Sequence, residues 1–188
     1  MALLPVYNSF HPVLNKPVNN VENINGTISK LIEDMFETMY KADGIGLAGN
    51  QVGKELAVIT IDTTVSDDKS QHYPPLAMIN PILESSSDIN VDFTEGCLSV
   101  PKFFEKVTRP DKVRIRFYDL HEKEITLEAE GLLARVIQHE MDHLNGVLFY
   151  ERLTPMRRTL AKNKLKKIRQ GKVDTDYAMI NDYQGKRL

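Results

Sequence analysis

Gln138-His139-Glu140-Met141-Asp142-His143 is the stretch on which the reading of this chain turns. Its pattern is H-E-x-x-H. A helix advances about 100° per residue, so positions four apart lie about 40° apart around the axis and roughly 6 Å along it. Two imidazoles at that spacing can close on one metal ion, and the glutamate beside them can handle a proton. The surrounding residues keep the helical period. Leu132, Val136, His139, Glu140 and His143 share a face, and a helix is expected from about Gly131 to Asn145 with Gly146 as its C-cap. That face is mostly apolar, so the histidines should be at least partly buried, where unpaired imidazoles are unfavourable. The plain alternative is two exposed histidines on a helix. Asp142, next to His143, is a candidate to support that ring.

Outward from this helix, Val113-Arg114-Ile115-Arg116-Phe117-Tyr118 alternates apolar and polar residues, and so does Ile125-Thr126-Leu127-Glu128-Ala129. The two should pair across His121-Glu122-Lys123 as a half-buried hairpin. Leu56 to Ile61 reads as a short strand. Leu76 to Asn80 and Ile82 to Glu84 read as strand pieces broken at Pro81, and Thr63 to Pro75 as a mobile polar loop. Ile24, Ile28, Leu31, Ile32, Met35, Phe36 and Met39 line one face of a helix ending near Lys41. Thr154 and Pro155 make a good N-cap and first turn for a last helix reaching about Gln170. Residues 1–20, with three prolines, should be an irregular arm, and the tail 171–188 loses its apolar period and should be loose. The expected fold is α+β: antiparallel sheets packed around a central metal-binding helix, with an N-terminal and a C-terminal helix, in one domain over residues 1–170.

Composition narrows the function classes. A chain of 188 residues can bury a real core. The net charge of −2 names no partner, although the segment after Thr154 is strongly basic. No stretch has the ~18 consecutive apolar residues of a membrane span, and the N-terminus lacks the pattern of a secretory signal. Cys97 is the sole cysteine, which rules out an intrachain disulfide and favours a reducing, cytoplasmic home.

A catalytic metal site usually takes three protein ligands and keeps one position open. One large protease group continues the motif to G-x-x-H. Here Gly146 fits, but Phe149 stands at the histidine position. Remote histidines and many acids remain open as the third ligand. Cys97, flanked by glycine and a small polar residue in Glu95-Gly96-Cys97-Leu98-Ser99, is the better candidate, against the plain reading of a buried thiol acting as a small hydrophobe. A thiolate with two imidazoles suits iron(II) or zinc. The glycines of Gly44-Ile45-Gly46-Leu47-Ala48-Gly49-Asn50-Gln51 let backbone pass close either to a ligand or to another strand. They do not form a phosphate-binding motif.

Three blocks in order resemble the peptide deformylase family: Gly44-Ile45-Gly46-Leu47-Ala48 with Gln51, Glu95-Gly96-Cys97-Leu98-Ser99, and Gln138-His139-Glu140-Met141-Asp142-His143-Leu144. The resemblance covers most of residues 5–170. It implies removal of the formyl group from the N-terminal methionine of new polypeptides. It also implies one divalent ion, iron(II) in the cell with zinc, nickel or cobalt possible in purified protein, held by Cys97, His139 and His143. Hydroxide on that ion would be the nucleophile and Glu140 the general base and then acid. Gln51 and the Leu98 N–H would hold the oxyanion. Ile45, Gly46, Gly96, Leu132 and Val136 would bind substrate, the first two by backbone pairing. Phe104 stands where many relatives have arginine or tyrosine.

The last helix carries Arg157, Arg158, Lys162, Lys164, Lys166, Lys167 and Arg169. A solvated face of a docked helix is the default reading. The resemblance implies a contact with ribosomal RNA instead, and no DNA or membrane partner. Two other functions compete with the deformylase: a zinc peptidase built on H-E-x-x-H, and a structural Cys-His-His site in an RNA-binding protein. Glu95 and Arg109 are expected to form a structural ion pair.

Overall fold

A computed structural model of the chain describes residues 2–66 and 73–181. Nine strands and three α-helices follow in order: β1 Val6–Tyr7, α1 Gly26–Lys41, β2 Gly46–Ala48, β3 Val58–Ile61, β4 Leu76–Ser86, β5 Asn90–Cys97, β6 Val100–Pro110, β7 Lys112–Tyr118, β8 Glu124–Glu130, α2 Gly131–Leu144, α3 Pro155–Arg169 and β9 Met179–Ile180. The main sheet is antiparallel, in the order β2-β3-β4-β7-β8. β5 and β6 form a separate antiparallel hairpin, and β1 pairs with β9 in parallel. The fold is α+β around α2, as the period of the sequence suggests. No helix among the described residues is long and apolar enough to cross a membrane.

α2 is the hub because nearly all of its faces are covered. From Leu133 to Glu140 every residue is buried, polar ones included. Its apolar side packs on the main sheet through Leu133, Val136 and Ile137 against Ile59, Met78, Ile115 and Phe117. α1 covers the other end of β2 and β3 through Ile32, Met35 and Met39. Its first turn is closed by Asn25, whose side chain accepts from the N–H groups of Thr27 and Ile28. α3 docks more lightly. Ala161, Leu165 and Ile168 are buried at helical spacing, while Met156 and Leu160 are 73% and 77% exposed. The apolar stripe of this helix is therefore narrower than its composition suggests.

Three expectations need correction. Pro81 does not break its strand. β4 runs through it, because the ladder with β7 slips between Ile79 and Ile82, and a proline in a bulge forfeits no ladder bond. The region 90–110, for which the sequence reading expected no strand, is a long hairpin. The tail is not loose from Gly171: through Asn181 it lies back along the domain, with Val6 N–H donating to Ala178 O at 2.8 Å and Asn8 N–H to Ile180 O at 2.9 Å. The Asn8 side chain adds bonds to Ile168 O and Asn181 Oδ1, both at 2.9 Å. These are mostly backbone bonds, which leave no apolar period in the sequence. Residues 182–188, and positions 67–72 of the loop expected at 63–75, lie outside the described residues.

Candidate active site

Helical spacing puts His139 and His143 on one side of α2, their ring centroids 5.0 Å apart. The β5–β6 hairpin brings Cys97 to them. Its sulfur lies 3.2 Å from His143 Nε2, and the three residues each offer a ligand atom within 4.8 Å of the others. Three donors that converge this closely can share one ion, and a thiolate with two imidazoles suits a divalent transition metal. Phe149, at the position where a third histidine would stand, is buried and packs its ring 5.7 Å from that of His139.

The supporting residues fix which atoms face the centre. His139 Nδ1 lies 2.9 Å from Glu95 Oε2. A carboxylate only accepts, so Nδ1 carries the proton of a neutral ring and Nε2 keeps its lone pair for a metal. Glu95 also accepts from Arg109 Nε at 2.7 Å, Arg109 Nη2 at 3.0 Å and Arg135 Nη1 at 2.8 Å. Burial alone would raise its carboxyl, but the bonds from His139 and Arg109 outweigh burial and hold it well below the ordinary range. The Glu95–Arg109 pair is thus present, and it extends to the metal-site helix. Asp142 does not support His143. A neighbour in a helix points about 100° away, and Asp142 instead accepts from Arg109 Nη1 and Arg152 Nη2, both at 2.6 Å.

Glu140 is buried beside the three donors, and its Oε2 has no hydrogen-bond partner, as is also true of His143 Nδ1. Burial raises the Glu140 carboxyl to about 7, outweighing the opposing pull of the His139 and Arg109 charges. Burial likewise pushes His143 well below its ordinary value, towards the neutral form that binds metals. On His139 burial acts the same way, but the contacts with Cys97 and Glu95 prevail and raise it well above, so in the metal-free chain Nε2 carries a proton that a metal ion would displace to leave the neutral ring described above. The orphaned carboxylate oxygen and the convergent donors fit a divalent cation with a water molecule.

Gln51 sits in a buried 3₁₀ turn after β2. Its Oε1 accepts from Ala48 N–H at 2.8 Å, which turns the Nε2 end toward the centre, where it donates to Ser99 Oγ at 3.2 Å and approaches Cys97 Sγ at 3.5 Å. Two glycines resolve whether this loop passes close to a ligand or to a strand. A Cβ on Gly49 would lie 2.7 Å from Leu56 O, so that glycine admits neighbouring backbone. A Cβ on Gly46 would meet Val136 Cγ1 at 2.6 Å and run into Glu140 Oε1, so that glycine opens the site.

The cleft over this centre holds about 470 Å³. Ile45, Gly46, Gln51, Gly96, Cys97, Leu98, Leu132, Val136, His139 and Glu140 all line it, and His143 lies buried behind. The metal-ligating, catalytic and substrate-binding residues that the resemblance implied thus meet at one place. Sequence reasoning missed Arg135, one turn before His139, and the tail residues Asp174 to Tyr177, which form another wall. Arg135 had a signal, since it lies four residues before a ligand on a buried helix. Tyr177 had none. Phe104, 65% exposed, overhangs Gly96 so closely that a Cβ there would touch its ring.

The polypeptide deformylase family model matches residues 3–159. A peptide deformylase of Cellvibrio japonicus is 45% identical over 167 residues, covering 89% of this chain and 96% of the relative. That of Stutzerimonas stutzeri is 46% identical over 168 residues, with 89% and 97% covered. Among solved structures, a peptide deformylase from Legionella pneumophila superposes with a TM-score of 0.81 at 36% identity, covering 91% of this chain and 98% of that one. One from Synechococcus elongatus in complex with actinonin gives 0.77 at 39% identity, with 90% and 87% covered. Likeness of this extent in both sequence and fold means that the chain belongs to the peptide deformylase family, a family of metal-dependent hydrolases.

Proposed function

We propose that this chain removes the formyl group from N-formyl-methionyl nascent polypeptides, releasing formate and a free amine. The observation that carries the proposal is the convergence of Cys97, His139 and His143 within 4.8 Å beside a buried, partnerless Glu140 carboxylate oxygen. Those three residues would hold one divalent ion. Iron(II) is the ion we assign in the cell, with zinc, nickel or cobalt able to replace it in purified protein. When bound, the ion supplies Lewis acidity that lets water react near neutral pH.

The chain's own groups do the rest. Glu140 accepts the proton of the attacking water and passes it to the departing amine nitrogen as the C–N bond breaks. A carboxyl raised to about 7 suits both halves of that exchange. The Gln51 amide and the Leu98 N–H donate to the negative charge that develops on the formyl oxygen. β2 is an edge strand of its sheet. Ile45 O already accepts from Asp62 N–H at 3.0 Å, so by alternation the open edge belongs to Gly46, which can add the substrate as a further strand. We therefore assign Ile45 a side-chain role, with Leu132, Val136 and Gly96 shaping the recess for methionine.

We assign a cytoplasmic home from the sole thiol, which must stay reduced to bind metal, and from the nascent-chain substrate. The exposed cations of α3, among them Arg158, Lys162, Lys164, Lys166 and Lys167, support a contact with ribosomal RNA, which should weaken steeply with salt. The decisive test loads the protein with iron(II) without oxygen and measures formate release from formyl-Met-Ala-Ser. Turnover should fall by about 100-fold or more in Glu140→Ala while metal content persists. Full metal loading without formate release, or cleavage of internal peptide bonds, would refute it.

A further inference from the structure

Two residues, Leu98 and Ser99, link the paired positions Cys97 and Val100 at the end of the β5–β6 hairpin. That short link must aim a sulfur and a backbone N–H at the same point, and neither of its residues is a proline that would stiffen it. Beyond the link the ladder slips between Glu95 and Cys97, so strand pairing does not hold it firmly either. Its rigidity comes from elsewhere in the chain. Ser9 N–H donates to Ser99 O at 2.8 Å, Gln51 Nε2 to Ser99 Oγ at 3.2 Å, and the Tyr177 hydroxyl to Leu98 O at 2.7 Å.

We propose that Tyr177, reaching back from the C-terminal strap, is a positioning residue that holds the Leu98 peptide so that its N–H stays aimed at the formyl oxygen. This rests on the deformylase reading above. The Leu98 carbonyl belongs to the peptide plane next to the one bearing the Leu98 N–H, and the two planes share the Leu98 Cα. Fixing one limits the swing of the other. The hydroxyl is not what keeps the strap in place. β9 is fastened to β1 by its own backbone bonds, and Asn8 bonds to Asn181 on one side and to Ile168 on the other. The Tyr177 bond is therefore directed at the turn, 79 residues away in sequence. It gives the terminal strap, which also walls the cleft, a catalytic consequence through the turn.

The test is Tyr177→Phe, which keeps the ring and removes only the donor. Loss of one such bond predicts a kcat for formyl-Met-Ala-Ser lower by about 2- to 12-fold, with KM and metal content unchanged. Independently of activity, backbone amide exchange at Leu98 and Ser99 in the metal-free protein should speed up by a similar factor, while β1 and β9 exchange as before. Unchanged exchange at the turn, or unchanged kcat, overturns the proposal. So does faster exchange along β1 and β9, which would mean that the hydroxyl merely anchors the strap. If the unsubstituted protein releases no formate, the deformylase reading fails, and the exchange measurement still decides whether Tyr177 tethers the turn.

Discussion

Replacing Glu95 by glutamine should both destabilise the protein and loosen its metal. Four buried side chains make up the cluster beneath the site: Arg109 and Arg135 are positive, Glu95 and Asp142 negative. Glu95→Gln turns this balanced set into a net positive charge in the interior. It also leaves one carbonyl oxygen where two carboxylate oxygens now accept from Arg109, Arg135 and His139. Removing one partner of a buried ion pair costs about 3–5 kcal/mol. Against a total stability of about 5–15 kcal/mol, that is a large share. His139 loses the acceptor that orients its ring, so metal affinity should drop by about 10- to 100-fold. The pH dependence gives a second signature. A carboxyl held low in the folded state adds stability above its unfolded value, near 4.5, and that stability is lost as pH falls through the folded value. The unsubstituted protein should therefore lose stability steeply below about pH 4.5, and Glu95→Gln should show a shallower acid limb. Urea unfolding at a series of pH values, with metal titration at neutral pH, measures all three. A variant within about 1 kcal/mol of the parent that binds metal equally well would refute the reasoning.

Gly46→Ala should cost about 1–3 kcal/mol of stability, because its methyl meets Val136 and Glu140, and should lower kcat/KM by at least tenfold; thermal unfolding and steady-state kinetics check both. Glu140 predicts a proton release. A carboxyl raised to about 7 favours the protonated folded chain, so the stability it contributes to the metal-free protein is full below about pH 4.5 and is lost as pH rises through 7. A nearby divalent cation favours the ionised form, so metal binding at about pH 6.5 should expel that proton. Calorimetry in buffers of different ionisation enthalpy should show Glu140→Gln releasing fewer protons, by about one at most; equal release would contradict a burial-raised carboxyl.

What the sequence disclosed follows from where each signal is stored. The α2 motif, the β7–β8 hairpin and the cap at Thr154 are written in side-chain period and type, and each appears as read. β5 was hidden because one of its inward positions is Glu95, an ionised residue that breaks the apolar alternation it structurally continues. β6 was hidden because its inward positions, the odd ones from Pro101 to Arg109, include the charged residues Glu105 and Arg109 among the apolar ones. The strap to Asn181 relies on backbone bonds, which any residue can make. Cys97 was identified as the best third donor only by its uniqueness and its small neighbours. Its arrival beside His143 depends on a hairpin that residue-level patterns did not announce.

Cobalt(II) titration of the metal-free protein examines that arrival. One equivalent should bind, and the bound ion should show a thiolate-to-cobalt charge-transfer band in the near ultraviolet together with the visible bands of a low-coordinate site. Cys97→Ser should abolish the ultraviolet band, and His139→Ala and His143→Ala should each weaken binding sharply. An ultraviolet band that survives Cys97→Ser, or cobalt bound equally well without either histidine, would contradict a centre built from these three residues.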